Sequence, residues 1–345
     1  MLDHLHIQNY RLFKDLKIDK LGQVNLIAGK NNTGKTALLE ALRIVMSKGE
    51  SSVINNIIFC RGQWKTNYDE ENYSSLFKFV EGIFSNLRID KVLNSRTKAK
   101  SVFNEQHITI KINDFELGFS KEISDNKTGL DNGFYIQYKK SPSKITKIRG
   151  EVNPESPRDS LVYIPFLSPF FAFDILIDNL DIDKEKDIIN ILKIIEPNIE
   201  DFRFKLESKE PIIRLSVAKD RIPLKSLGDG INRLFIIALG LVNAKNSINN
   251  ILIIDEFEVG LHHSVQEQLW DIIFKYAKEW NIQVFATTHS QDTVKAFYYI
   301  SSKEEYKDMG QYMRLQPSRT TGEIEAVIYT EGSLETAFDL NLETR

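Results

Sequence analysis

The chain has 345 residues, 42% hydrophobic and 27% charged, enough for one large domain or two ordinary ones. Its formal net charge of −3 does not announce a nucleic-acid partner, and its single cysteine, Cys60, excludes an internal disulfide or a cysteine-based metal site. The start, Met1 to His6, has neither a basic n-region nor an apolar h-region, so no secretory signal is expected. No apolar run reaches the roughly 18 residues of a membrane span. The nearest approach, Leu234 to Val242, is interrupted by Gly240 and reads as a buried core helix. One cysteine and no membrane segment suit a reducing cytosol, so the expected location is cytoplasmic.

In chain order, Val24 to Ala28 is a short apolar run suited to a buried strand. Gly29-Lys30-Asn31-Asn32-Thr33-Gly34-Lys35-Thr36 follows and fits the phosphate-loop pattern G-x-x-x-x-G-K-[ST] at every fixed position. After it, Leu38, Leu39, Leu42, Val45 and Met46 recur at helical spacing. Strand, glycine-rich turn and helix are the setting the motif requires; without them it would be a surface Gly/Asn turn. Backbone N–H groups from Gly29 through Ala37 then form a nest for phosphate oxygens at a helix N-terminus. Lys35 reaches the β- and γ-phosphates, and the Thr36 hydroxyl is a Mg²⁺ ligand.

Residues 51–204 separate this loop from the next chemical motif and read as an inserted arm or lobe of mixed α and β structure. Leu76 to Leu87 reads as a helix, His107 to Ile112 and Leu161 to Phe166 as strands, and Ile188, Ile189, Leu192 and Ile195 as one helix face. No sustained heptads and no internal repeat appear. Two basic clusters are candidates for binding a phosphodiester backbone: Arg88, Lys91, Arg96, Lys98 and Lys100, and Lys139, Lys140, Lys144, Lys147 and Arg149. The second lies between Ser141-Pro142-Ser143 and Pro154 and Pro157, and a solvated loop is the favoured reading. The acids Asp174, Asp178, Asp181, Asp183 and Asp187 read as a solvated helix edge ahead of a metal site.

Leu224-Lys225-Ser226-Leu227-Gly228-Asp229-Gly230 leads into an apolar helix. Ser226 is placed as its N-cap, and the glycines free backbone N–H groups there: a second anion site, or a plain Gly-rich turn. Ile251 to Ile254 suits a central parallel strand and ends in Asp255-Glu256. An acid pair at the carboxyl end of such a strand lies where ligands bind. Asp255 is the Mg²⁺-side carboxylate and Glu256 the general base, the bland alternative being an acidic cap on the next turn. Ile282 to Thr288 is another apolar strand, ending at His289-Ser290. A lone His is more often structural; its place in this series favours contact with a γ-phosphate. The tail, around Met313-Arg314-Leu315 and Glu325 to Tyr329 with Thr320-Thr321-Gly322 between, reads as a hairpin.

These motifs in this order resemble ABC-type ATPases, specifically the SMC-like and OLD-like branch. Glu258-Val259-Gly260-Leu261-His262-His263 looks like that branch's D-loop, Thr287-Thr288-His289-Ser290 like its switch region, and Ile7-Gln8-Asn9-Tyr10-Arg11-Leu12-Phe13 like its opening strand. The resemblance covers about 1–50 and 205–305, with 306–345 a C-terminal β-hairpin tail. It implies an α/β P-loop NTPase of the ABC-ATPase head type that hydrolyses ATP with Mg²⁺. It places Arg11 near the nucleotide, and Ser226, Gly228 and Gly230 against the nucleotide of a second copy, in a homodimer or higher homo-oligomer. Gln63 and Gln137 are both candidates for the family's Q-loop glutamine. GTP is disfavoured because no Asn-Lys-x-Asp step is evident at a strand end. With 45 residues after Ile300, the C-terminal Toprim nuclease domain of OLD proteins is not expected.

Two functional readings follow. The first is an ATPase or sensor subunit of a bacterial anti-phage system, controlling a separately encoded effector such as a nuclease. The second is a DNA-binding repair or chromosome-type ATPase, weakened by the absence of a long coiled coil. A membrane-transporter subunit is disfavoured by the 190 residues between Thr36 and Ser226.

Overall fold

The computed structural model describes residues 1–47, 53, 56–57, 161–165, 177, 180–205, 208, 210–218, 220–330, 332–334 and 336, and the backbone of 108–112, 115–123, 132–140 and 145–149. The chain opens with strands β1 (Leu5–Tyr10) and β2 (Phe13–Ile18), paired antiparallel with Leu5 opposite Ile18 and Tyr10 opposite Phe13. The single opening strand expected over Ile7 to Phe13 is therefore a hairpin. The chain reverses at Arg11-Leu12, between Tyr10 and Phe13, where Arg11 takes left-handed backbone (φ 51°). β1 also pairs with β4 (Ile108–Ile112), and β5 (Phe115–Ile123), β6 (Asn132–Lys140) and β7 (Ile145–Arg149) continue the antiparallel sheet. Lys139, Lys140, Lys147 and Arg149, read as loop residues, lie on β6 and β7 instead. Cross-strand pairing there outweighs the nearby Ser-Pro-Ser turn signal. The register pairs Lys139 with Ile145 and Gln137 with Lys147 along β6 and β7. The Leu76–Leu87 helix, the first basic cluster, Lys144, Cys60 and Gln63 lie outside the described residues; Gln137 is on β6.

The central sheet has the order β15-β14-β3-β13-β12-β8. Its strands are β3 (Val24–Ala28), β8 (Val162–Ile164), β12 (Ile251–Ile254), β13 (Gln283–Thr288), β14 (Gly310–Pro317) and β15 (Ile324–Tyr329). All pairs are parallel except β14–β15, the expected tail hairpin, which enters the sheet beside β3. Every residue of β3, β12 and β13 is buried, as helices on both faces of a parallel sheet require. Successive residues serve opposite faces. Ile27, Ile253, Phe285 and Met313 pack with helix α1 (Lys35–Met46) and the β1–β2 hairpin. Leu26, Leu252, Val284 and Tyr312 pack with the helices of the other layer.

That layer holds α2 (Ile182–Leu192), α3 (Asp229–Lys245), α4 (His263–Trp280) and α5 (Gln291–Ser301). A small antiparallel sheet of β9 (Ile199–Phe204), β10 (Pro211–Leu215) and β11 (Ile222–Pro223) packs against it. The α2 face includes Ile188 and Leu192, with Ile195 just beyond the helix end. The acids read as a helix edge behave as one: Asp181 caps α2 by accepting from the Lys184 N–H at 2.9 Å, and Asp187 pairs with Lys245 at 2.9 Å. Asp174 and Asp178 lie outside the described residues. Among the described residues no helix is long and apolar enough to cross a membrane.

Candidate active site

The site forms at the carboxyl ends of β3, β12 and β13, where three parallel strands release their chains together. After β3 the chain turns through Gly29 and Gly34 into α1. A Cβ on Gly29 would stand 2.5 Å from Thr33 Oγ1 and 2.8 Å from the carbonyl oxygen of Leu315 on β14, so the tail hairpin closes against the back of the loop. Gly34 has φ 95° and would press a Cβ to 2.7 Å from the Phe13 ring on β2. No side chain satisfies both constraints. Thr33 steadies the turn by donating its hydroxyl to the Lys30 carbonyl at 2.9 Å. Asn31 and Asn32 are exposed at the tip, Asn32 in the left-handed region at φ 66°, and Ala37 is buried in the first turn of α1. Such alternation of backbone hand turns successive N–H groups to one side.

Lys35 is buried, and its ammonium donates to the carbonyls of Gly29 at 2.7 Å and Lys30 at 3.1 Å. Burial lowers its pKa, against the opposing pull of Glu256, Glu258 and Asp255. A buried cation whose direct partners are neutral carbonyls favours an added anion. Thr36, next in the chain, stands with its hydroxyl 3.2 Å from Asp255 Oδ2 and 3.5 Å from Oδ1. A hydroxyl beside a carboxylate is the hard oxygen donor set that suits Mg²⁺.

Asp255 is 4% exposed at the end of β12. Glu256 follows with φ 48°, a sparsely populated conformation for a side chain of its size. Its N–H donates to Thr287 Oγ1 at 2.9 Å, and its carbonyl accepts from Arg233 Nη2 of α3 at 3.0 Å. Burial raises the Glu256 pKa, with Asp255 and Glu258 adding to the rise and His289 and Lys35 opposing it. His289 Nδ1 lies 3.9 Å from Glu256 Oε1 and 3.0 Å from Glu258 Oε1, and the His289 N–H also donates to Glu258 at 2.8 Å. Glu258 thus fixes the ring from both its backbone and its Nδ1.

Arg11 sits at the β1–β2 turn, where its Nε pairs with Glu40 of α1 at 2.8 Å, both side chains nearly buried. Burial alone would lower its pKa; Tyr10 and Glu40 outweigh that and raise it. Ser226 lies in a 3₁₀ turn over Leu224–Leu227, and α3 begins at Asp229 with Gly228 as its cap residue. Ser226 is therefore not the N-cap of α3, because the 3₁₀ turn ends before the helix starts. Ser226 and Gly228 are exposed. A Cβ on Gly228 would meet nothing within 4 Å, and one on Gly230 only Val265 at 3.8 Å, although Gly228 needs its glycine for φ 102°. This turn borders a cleft of about 480 Å³ whose lining includes Leu227, Asp229, Gly230, Gly260 and His262, and no phosphate-loop residue.

Sequence reasoning assigned no role to Arg233, Glu258 or Thr287. Arg233 was hidden in an apolar helix, and Glu258 in a D-loop recognised for its Gly-Leu-His step. Burial pushes the Arg233 pKa down to about 10, with Glu258, Asp255 and Glu256 opposing. The available signal was a charged residue directly before the apolar run Leu234 to Leu239 of a helix.

A family profile described as "AAA domain, putative AbiEii toxin, Type IV TA system" matches residues 24–294. The chain belongs to this family. It is an ATPase, built on the AAA domain and carrying the loop and acid pair assembled above. A Helicobacter pylori protein named ATP/GTP phosphatase is 24% identical over 346 residues, 89% of this chain and 90% of that protein. A DNA replication and repair protein RecF of Lactobacillus acidophilus is 54% identical over 41 residues, 12% of this chain and 11% of that protein. The SMC head domain from Thermotoga maritima superposes with a TM-score of 0.50 at 12% identity, covering 95% of this chain and 99% of that one. At that identity the likeness is one of fold: the chain shares the architecture of an SMC head domain.

Proposed function

We propose that the chain is a nucleotide-dependent dimerising switch. Backbone N–H groups from Gly29 to Ala37, with Asn31 and Asn32 at the tip, receive the phosphates of ATP, and Lys35 turns from its loop carbonyls to the β- and γ-oxygens. Thr36 and Asp255 would hold Mg²⁺, which supplies charge neutralisation at the transferred phosphoryl group. Glu256 orients the attacking water and receives its proton, for which a pKa above the ordinary carboxylate range is suited. His289, steadied by Glu258, addresses the γ-phosphate. Arg11 borders the nucleotide through the N-terminal part of α1. Ser226, Gly228 and Gly230 meet the nucleotide of a second copy.

The observation that carries this reading is the contrast between the two anion-binding turns. The phosphate loop is backed by its own protomer, whereas the Ser226–Gly230 turn is exposed and borders a cleft with no loop residue in it. Light scattering of the Glu256→Gln variant tests it. Mg-ATP is expected to convert monomer to a stable dimer, and a mass unchanged by nucleotide overturns the trans arrangement.

The switch further serves as the ATPase subunit of a cytoplasmic bacterial anti-phage system with a separately encoded effector such as a nuclease. The family description names a toxin–antitoxin system, which supports a two-protein setting. Co-purification with the product of a neighbouring gene and loss of phage resistance in Lys35→Ala cells are expected; a protein without a partner and without effect on infection contradicts it. The repair-type reading rests on the short identity with RecF and on the placement of Lys139, Lys147 and Arg149 on the neighbouring strands β6 and β7. Salt-sensitive DNA binding that is lost when those three are neutralised would favour it.

A further inference from the structure

We infer that Thr287 is a positioning residue of the hydrolysis site, acting through Asp255 and Glu256 by means of its hydroxyl. The inference rests on the roles of those two acids proposed above. Thr287 is fully buried at the end of β13. Its hydroxyl donates to Asp255 Oδ1 at 2.6 Å and accepts the Glu256 N–H at 2.9 Å. Its carbonyl accepts the Phe257 N–H at 2.9 Å. Three bonds thus run from one residue to three successive positions of the acid-bearing turn.

The register explains why this position can do it. β12 and β13 pair in parallel up to Ile254 opposite Ala286. The next step would set Asp255 opposite Thr287, but Glu256 leaves extended geometry at φ 48°, and the Thr287 side chain takes over its N–H. Because the hydroxyl receives the Glu256 N–H, its own hydrogen is directed to Asp255. Oδ1 is then occupied and the closer contact of Thr36 is with Oδ2. Thr287 therefore sets both the rotation of the carboxylate facing Thr36 and the direction in which the Glu256 side chain leaves the backbone. A β-branched residue suits the strand, and the hydroxyl is the group that an apolar strand residue lacks.

The test compares Thr287→Val, which keeps the shape, with Thr287→Ser, which keeps the hydroxyl, and with Glu256→Gln. The valine variant is expected to lose about ten- to a hundred-fold in kcat, the range for partners that orient metal ligands. Its KM for ATP should stay near wild type, and more Mg²⁺ should be needed for half-maximal activity. Without turnover, it should lose the extra melting-temperature rise that Mg²⁺ adds to non-hydrolysable ATP analogue while keeping the rise given by the analogue alone. The serine variant should behave as wild type in all three. If the valine variant does not fold, Thr287→Ala carries the same comparison. Full activity and full Mg²⁺ response in the valine or alanine variant, with Glu256→Gln inactive, overturns this inference alone. Full activity in Glu256→Gln as well overturns the reading of the site beneath it.

Discussion

The two glycine-rich turns of this ATPase are built on opposite principles. Around Gly29–Thr36 every glycine is enforced from within: Phe13 stands under Gly34, and Thr33 and the Leu315 carbonyl stand under Gly29. Around Gly228–Gly230 the protomer offers almost nothing, and only the left-handed φ of Gly228 demands glycine. Side-chain bonds follow the same division. Thr36, Asp255, Glu256 and Thr287 form a connected set beside Lys35, which bonds to the loop carbonyls, whereas neither turn before α3 has a side-chain cap bond. The comparison thus separates a turn that its own protomer packs closely from one that it leaves open.

Perturbations should separate the halves. The largest effect is expected for Glu256→Gln, where loss of the proposed general base should slow hydrolysis about a hundred- to ten-thousand-fold while ATP stays bound; single-turnover kinetics checks it, and ordinary turnover would remove Glu256 from that role. Lys35→Ala should weaken ATP binding by about ten- to a hundred-fold, the worth of a charge-assisted bond to phosphate, read by calorimetry. Gly230→Gln should act only on the outer half. Its side chain meets no crowding at home, so melting temperature and ATP affinity should stay near wild type while ATP-driven dimerisation is lost. An intact dimer in that variant would show that the turn faces no second copy.

The smallest effect lies away from both halves. Arg221 pairs with Asp201 through both guanidinium Nη atoms, one at 2.9 Å, and this bonding lowers the Asp201 pKa from its ordinary 3.8. A lowered native pKa contributes stability that is complete above the unfolded value and fades as pH falls through the native one. Arg221→Ala should therefore cost under about 1 kcal/mol near neutral pH, and the gap to wild type should close below pH 3.8, measured by denaturant titration across pH.

Much of the central sheet was legible because its strands are short aliphatic runs bounded by glycine or acid, and a strand buried on both faces has no other signature. The tail hairpin was legible as alternation around a Thr-Thr-Gly turn, but not its insertion beside β3, since that pairing joins residues 286 positions apart, as Met313 does with Ile27. Local signals also misled. An opening strand proved to be a hairpin because the chain reverses at Arg11-Leu12, Arg11 in left-handed backbone, and Ser226 lost the cap position to an intervening 3₁₀ turn.

The sequence by itself determined the kind of chemistry: a phosphate loop, an acid pair after a four-residue aliphatic strand, and a histidine at the end of its neighbour, because each is a local arrangement of residue types. Tertiary structure decided which side chains orient that chemistry. Thr287, Arg233, Glu258, Phe13 and the Leu315 carbonyl reach the site from separate elements. Hydrogen bonds and steric contacts act over a few ångströms in space, and only the parallel register and the packing of helix on sheet bring such distant positions that near.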